Sequence, residues 1–305
     1  MRPDMQRPIL IAGPTASGKS ALALALAERC DGIVANADAL QVYDCWRVLS
    51  ARPSDADLSR APHALYGHVP AATVYSVGAW LRDLTPLLGS DKRLIIVGGT
   101  GLYLSALTRG LAPIPPTPDT IRAEGDALRM TRGLDPFRAY LERHDPEIWA
   151  RIDRANGMRL QRAWEVHRAT GRPLSAWQKD TGKPLISLDT AHPFVLESQP
   201  EWLARRIDAR FDAMLDQGAL EEARANLPGW DPDRPSAKAL GGPELVAHLQ
   251  GKISLQEAVE KGKTATRQFA KRQRTWFRSN MKAWRRLDAG LATDAETISE
   301  ILSMA

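Results

Sequence analysis

Gly13-Pro14-Thr15-Ala16-Ser17-Gly18-Lys19-Ser20 decides the reading of this chain. Its spacing is that of a phosphate-binding loop, G-x-x-x-x-G-K-[ST]. The glycines let backbone amides turn inward around a diphosphate. Lys19 supplies a point charge, and the Ser20 hydroxyl is suited to ligate Mg²⁺. Such a loop needs a buried strand before it and a helix after it. Ile9 to Ala12 is a short unbroken apolar run, and 20–29 is rich in Ala and Leu, so both are present. The helix adds its positive N-terminal end. The loop binds phosphate on this reading, but it does not say whose.

Working outward, further short apolar runs stand at 32–35, 94–97 and 194–196, separated by helical patterning. Buried strands alternating with helices predict an α/β fold: a P-loop NTPase-like core whose parallel sheet is flanked by helices. The segment 111–118 holds four prolines and reads as a boundary. Beyond it, 119–183 carries no strand-like run, and its spacing predicts helices over 120–130, 136–143, 146–154 and 157–169. Asp145 and Asn156 stand as N-caps and Gly171 as a stop. The expected organisation is therefore a core over 1–118 and 184–305, interrupted by an all-helical insertion at 119–183. A helix is also expected over 200–225, with Trp202, Arg206 and Arg210 four apart.

Composition narrows the class. The chain has 305 residues, 44% hydrophobic and 25% charged, with a net charge of +5. Those values exclude wholesale disorder. Cys30 and Cys45 have no C-x-x-C spacing and no nearby His cluster, which argues against zinc and for a reduced intracellular protein. Arg2, Asp4 and Arg7 precede an apolar run too short for a signal peptide. No stretch reaches the roughly 18 apolar residues of a spanning helix. The expectation is a cytoplasmic monomer with no membrane partner.

An NTP-hydrolysing P-loop protein also needs an acid ending a later strand. Leu94-Ile95-Ile96-Val97 is the natural place, yet it runs into Gly98-Gly99-Thr100-Gly101 without a carboxylate. The acid that does end a strand is Asp38, after 33–37. In nucleoside and shikimate kinases an Asp at this second strand end faces the acceptor group rather than the nucleotide, which makes Asp38 a candidate to meet the nucleophile; an Asp that caps the next turn is the alternative. Strand ends of one sheet converge at one edge, which would bring Thr100 near Lys19 and Asp38; taken alone, the short GGTG reads as a plain strand-to-helix turn.

The charge is also unevenly distributed. Ten Lys/Arg and no Asp or Glu lie in 261–286, so the remainder of the chain is net acidic. Arg267, Lys271, Arg274, Arg278, Lys282 and Arg285 are spaced so that on one continuous helix they fall within about 80° of each other. Phe269, Trp276, Phe277 and Trp284 fall opposite. A ridge about 27 Å long without one acid repels itself. It reads as a surface for a polyanion such as an RNA backbone.

Taken together, these residues resemble the tRNA dimethylallyltransferase (isopentenyltransferase) family over nearly the whole chain. Gly13–Ser20 is similar to that family's GPTASGK[ST], and Asp38-Ala39-Leu40-Gln41-Val42-Tyr43 to its D-S-x-Q-x-Y. Gly98 to Tyr103 is similar to its GGTGLY, and Arg162-Ala163-Trp164-Glu165-Val166 to its R-A-L-E-V. The run from Thr266 to Arg278 resembles its T-R-Q-x-A-K-R-Q-x-T-W-[FL]-R helix. The resemblance implies a Mg²⁺-dependent transfer of a dimethylallyl group from its diphosphate to N6 of the adenosine 3′ to the anticodon. It implies catalytic roles for Asp38, Thr100 and Arg210. It implies tRNA contacts at Asp38, Gln41, Arg162 and the six ridge cations, with the anticodon stem-loop as partner. A diphosphate leaving group needs no hydrolytic water, which accounts for the missing strand acid. The family's eukaryotic members carry a C-terminal zinc finger that does not appear before Ala305, so a bacterial type is expected.

This sequence departs from the family pattern at Ala39 (usually Ser), at Arg52 in a G-T-A-K-P element, at His63 where many members have two histidines, and at Gly242 in place of an aromatic residue. Three rival classes remain at this level. A small-molecule P-loop kinase accounts for the loop and Asp38 but not for the acid-free ridge. An adenylate isopentenyltransferase would not need the long basic helix. A non-catalytic RNA-binding protein would leave Lys19 and Asp38 incidental.

Overall fold

The computed structural model of the protein describes residues 7–304. Arg2 and Asp4, noted ahead of the first strand, and Ala305 lie outside them. The chain divides into two compact units, one built from 1–108 and 185–305 and the other from Arg109–Pro184.

The first unit opens with β1 (Ile9–Ala12), α1 (Lys19–Cys30), β2 (Ile33–Asn36), α2 (Asp55–Arg60), β3 (His63–Ala64), α3 (Val77–Leu84), β4 (Leu94–Gly98) and α4 (Gly101–Arg109). The second unit follows with α5 (Asp119–Arg132), α6 (Asp135–His144), α7 (Pro146–Trp149), α8 (Gly157–Thr170) and α9 (Leu174–Lys179). The chain then returns to the first unit through β5 (His192–Glu197), α10 (Pro200–Asp216), α11 (Ala219–Asn226), α12 (Gly242–Leu249), α13 (Leu255–Asn280), β6 (Arg285–Asp288) and α14 (Ala295–Met304).

The sheet order is β3-β2-β4-β1-β5-β6 and every pairing is parallel. β1 is central, with Ile9 against Ile95 of β4 and His192 of β5. Its residues alternate between two cores, as a pleat requires. Ile9 and Ile11 pack with Leu22, Leu26, Ile298 and Ile301, so α1 and α14 cover one face. Leu10 and Ala12 pack with Trp80, Leu104, Leu107 and Phe277, so α3, α4 and α13 cover the other. This is the three-layer arrangement that short apolar strands predict. Two strands escape a hydrophobicity reading. β3 has two residues, and β6, Arg285-Arg286-Leu287-Asp288, buries only Leu287. Both lie at sheet edges, where short length and charge are usual.

The second unit has its own core of Phe137, Leu141, Ile148, Leu160, Ala163 and Trp164. Asp145 caps α7 by accepting from the Ile148 amide, and Asn156 caps α8 by accepting from the Arg159 amide, each at 3.1 Å. Gly171 ends α8 in the left-handed conformation. α7 is one turn rather than the longer helix expected over 146–154. α9 has no counterpart among the expected helices, and the compact unit opens ahead of the proline-rich segment rather than after it. The helix expected over 200–225 is broken by Gly218, whose φ is 96°, into α10 and α11. No helix among the described residues is long and apolar enough to cross a membrane.

Candidate active site

Three loops leave the carboxyl ends of neighbouring strands β1, β4 and β2. They are the phosphate loop, the Gly98–Gly101 turn and the segment starting at Asp38. Two residues of the phosphate loop, Ala16 and Gly18, have positive φ, 61° and 89°. For alanine that conformation costs about 1–2 kcal/mol. It is held from outside. Ala16 is buried against Leu203 and Ile207 of α10 and Ala270 of α13, and each large apolar side chain buried there is worth about 1.5–3 kcal/mol. Arg206 donates from Nε to the Ala16 carbonyl at 3.0 Å, with its guanidinium over the Trp202 ring. Two of the three residues that the four-residue spacing grouped on this helix thus serve the loop.

The third, Arg210, joins the electrostatics of the site. Burial pushes the Lys19 ammonium down to about 8; the Asp38 carboxylate opposes the fall and the Arg210 guanidinium adds to it. Burial likewise draws Arg210 below its usual value, with Arg206 adding and Asp38 opposing. Among the described residues Asp38 is the carboxylate whose charge bears on both cations, an arrangement that favours an incoming polyanion. Lys19 meanwhile donates to the Pro14 carbonyl at 3.3 Å.

Asp38 is fixed through its backbone and one oxygen. Its amide donates to Asn36 Oδ1 at 2.8 Å, and Asn36 Nδ2 donates to the carbonyls of Asp38 and Leu65, each at 3.0 Å. Asp38 Oδ1 accepts from the Leu40 amide at 3.0 Å. Among the described residues Oδ2 accepts no hydrogen bond. It lies so close to Gly99 that a Cβ there would come within 3.1 Å of it. Thr100 Oγ1 accepts from the Ala39 amide at 2.9 Å, which leaves its hydroxyl proton available. The adjacent tyrosines Tyr66 and Tyr103 are held protonated well above their usual range, chiefly by burial and in part by the Asp38 charge.

Two cavities flank these groups. One, of about 520 Å³, is lined by Asp38, Leu40, Thr100, Phe269, Arg272 and Trp276 and is mostly apolar. The other, of about 890 Å³, is lined by Ser20, Gln41, Arg52, His63, Tyr66 and Arg210. Asp38 and Thr100 thus share one cavity, while Ser20 and Arg210 share the other. A third hollow, of about 620 Å³, sits beyond β5 and β6, lined by Trp202, Arg274 and Arg278 among others.

Other predicted positions are placed less directly. Gln41 gives both side-chain hydrogens to the carbonyls of Ser50 and Ala51, each at 2.9 Å, so its oxygen is what remains. Arg162 belongs to the second unit, where it donates to Thr117 Oγ1 at 2.6 Å. Arg52 donates to the carbonyls of Tyr43 and Asp44, each at 3.2 Å, and Gly242 packs against Trp46.

The continuous six-cation ridge is corrected. α13 ends at Asn280, and the chain turns to place Met281 and Trp284 in the core and Arg285 in β6. Tertiary burial stops the helix where the local pattern would extend it. Arg267, Lys271, Arg274 and Arg278 lie on α13, whereas Lys282 and Arg285 do not. Arg267 is paired with Asp208 at 2.5 Å and Arg285 with Glu300 at 2.6 Å. The aromatic side divides too. Phe277 and Trp284 are buried, while Phe269 and Trp276 are half-buried and line the Asp38 cavity.

Residues to which the motifs assigned no role complete the site. Gln273 accepts from the Thr15 amide and donates to the Gly99 carbonyl, each at 2.9 Å. Asn36, Arg206 and Arg272 also belong here. Gln273 and Asn36 carried a usable signal, since each is a polar amide at a position the surrounding pattern buries.

The IPP transferase family model matches residues 41–280. A tRNA dimethylallyltransferase of Cereibacter sphaeroides strain KD131 is 59% identical over 284 residues, 92% of this chain and 90% of that protein. One from Dinoroseobacter shibae is 59% identical over 286 residues, 94% and 96% of the two chains. Among solved structures, a full-length tRNA isopentenylpyrophosphate transferase from Bacillus halodurans aligns with a TM-score of 0.67 and 29% identity, covering 98% of this chain and 95% of that one. A eukaryotic dimethylallyltransferase acting on tRNA aligns with a TM-score of 0.79 and 26% identity over 96% of this chain and 77% of that one.

Proposed function

The chain belongs to the IPP transferase family, and from that premise we propose that it transfers a dimethylallyl group from dimethylallyl diphosphate to N6 of the adenosine 3′ to the anticodon in tRNA. The observation that carries this reading is the meeting of an acid-poor phosphate loop with Asp38 and Thr100 at one sheet edge. A loop with two cations beside it and no acid at the end of β4 is suited to a diphosphate that departs, not to one that water attacks.

The adenine amine attacks the allylic carbon, the carbon–oxygen bond to diphosphate breaks, and the amine proton passes to the Asp38 carboxylate. Thr100 donates its hydroxyl proton to the base or to the phosphates. The remaining backbone amides of the phosphate loop, with Lys19 and Arg210, stabilise charge growing on the departing diphosphate. The apolar walls of the Asp38 cavity, Leu40, Phe269 and Trp276, suit a planar base beside a hydrocarbon chain. A base in a loop costs only a few kcal/mol to extrude.

Mg²⁺ fits the residues present. Ser20 is exposed at the start of α1 and lines the same cavity as Arg210. No cluster of three or more His, Cys, Asp or Glu among the described residues forms a metal cage. The ion would therefore be held by Ser20, diphosphate oxygens and water, as Mg²⁺ prefers, and would neutralise leaving-group charge. Lys271, Arg274 and Arg278 on α13, with Arg162 on the helical unit, supply backbone contacts to the anticodon stem-loop.

The test is incubation with labelled dimethylallyl diphosphate and Mg²⁺, with tRNA, with AMP or with neither. Label in tRNA alone is expected. Label in AMP alone, or in nothing, overturns the reading.

A further inference from the structure

Gln273 stands in the middle of the basic stretch of α13, between Arg272 and Arg274, yet it is buried. Its amide makes one hydrogen bond to each of two loops. Oε1 accepts from the Thr15 amide of the phosphate loop, and Nε2 donates to the Gly99 carbonyl of the turn after β4, both at 2.9 Å. The amide of Thr15 is thereby withdrawn from the set that faces phosphate. The Gly99 α-carbon is where the arrangement closes. A Cβ built there would lie 2.4 Å from Gln273 Nε2, 3.1 Å from Asp38 Oδ2 and 3.5 Å from the Gly13 carbonyl. Phosphate loop, Gln273 and acceptor carboxylate therefore press on one atom that has room for no side chain.

We infer that Gln273 is a positioning residue for the transfer: it fixes the distance between the diphosphate held by the phosphate loop and the Asp38 carboxylate. Its side chain lines the Asp38 cavity, but both polar atoms of its amide are taken up by the two loops. It acts by setting where the two loops stand relative to each other. Misplacing reacting groups by an ångström can cost on the order of 100-fold in rate, whereas ground-state binding of either substrate alone needs only its own loop. Loss of the brace therefore lowers kcat and spares affinity.

This inference rests on the prenyl-transfer reading, and the two fail differently. If wild-type protein transfers no label, the earlier reading is wrong. If it does, Gln273 is tested by Gln273→Met, which keeps the length of the side chain and removes both hydrogen bonds. The expected result is a kcat fall of roughly 10- to 100-fold, with KM for dimethylallyl diphosphate and Kd for tRNA each changed by less than about threefold, at a temperature where the variant is fully folded by circular dichroism. Gly99→Ala is the second variant, since its Cβ wedges the same atoms apart. The double variant should lose little more than the worse single one, because both disrupt one geometry. A Gln273→Met enzyme with kcat within about twofold of wild type overturns the inference. So does a loss carried wholly by KM, or full additivity with Gly99→Ala.

Discussion

Arg206 donates its Nε hydrogen to the carbonyl of Ala16 at 3.0 Å, tying the middle of α10 to the crest of the phosphate loop. Ala16 has φ of 61°, so the loop holds a conformation that alanine disfavours, and the bond is one of its restraints. Arg206→Ala should release that carbonyl and let the loop sample other shapes. The expected outcome is a rise of roughly tenfold in KM for dimethylallyl diphosphate, about 1.4 kcal/mol, with a smaller change in kcat. Steady-state kinetics at saturating tRNA check it. An unchanged KM would mean that burial of Ala16 alone holds the loop.

Lys19 gives a pH dependence with a definite sign. Burial lowers its ammonium to about 8 in the absence of an anion. Below that value the side chain is charged and attracts diphosphate; above it the neutral amine does not. With the protonation of diphosphate itself factored out, affinity for inorganic diphosphate should change little below about pH 7.5 and weaken toward tenfold per unit well above about pH 8. Bound diphosphate stabilises the charged form, so binding at about pH 8.5 should take up protons. Calorimetry in buffers of different ionisation enthalpy measures both. Lys19→Arg, charged throughout, should remove the alkaline limb even though its shape fits the loop less well. A limb that persists in Lys19→Arg assigns it to another group.

The turn after β4 offers a steric test. A Cβ on Gly101 would lie 2.2 Å from the Trp276 ring, so Gly101→Ala must displace the indole that walls the Asp38 cavity. Overpacking of this kind costs about 1–3 kcal/mol. Urea unfolding should show a loss in that range together with a fall in transfer. The added variant Trp276→Leu should restore stability to the Gly101→Ala protein but not activity, because the space is relieved while the wall is lost. If the double variant is no more stable than Gly101→Ala alone, the clash lies elsewhere.

How much of the fold is legible in the sequence can be argued from α13 and the strands. The strands β1, β2, β4 and β5 are buried on both faces, so they read as unbroken apolar runs. β6 pairs only with β5 and shows one apolar residue, Leu287, among charges. Nothing local separates it from the basic helix before it, so the helical spacing of cations runs on through it. The same helix shows what a finer reading gives. Thr266, Ala270, Gln273 and Phe277 follow one another at four, three and four, the spacing of a buried face, and all four are buried. A glutamine on that face must find hydrogen-bond partners inside the protein. The spacing alone therefore flags Gln273, though not which two loops it joins. Asp38, Lys19 and Thr100 are legible because strand order brings their loops to one edge. The network around Asn36 is not, since it depends on Leu65, far away in sequence.

The shortened ridge makes a prediction that separates helix from strand. Lys271, Arg274 and Arg278 lie on α13 with no acidic partner among the described residues, whereas Arg285 lies in β6 with its guanidinium on Glu300. A cation that meets RNA phosphate releases counterions, contributing roughly 0.7–0.9 to the slope of log affinity against log salt. Replacing Lys271, Arg274 and Arg278 by Ala should lower the slope for tRNA by about 2, near three phosphates at the smaller of those values. Arg285→Ala should leave the slope nearly unchanged and appear instead as a small loss of thermal stability, because its partner is within the protein. Filter binding from about 50 to 300 mM KCl measures the slopes. A decrement for Arg285→Ala equal to that of Arg278→Ala would place Arg285 on the RNA, and the anion-binding surface would then continue past the end of the helix onto the sheet edge.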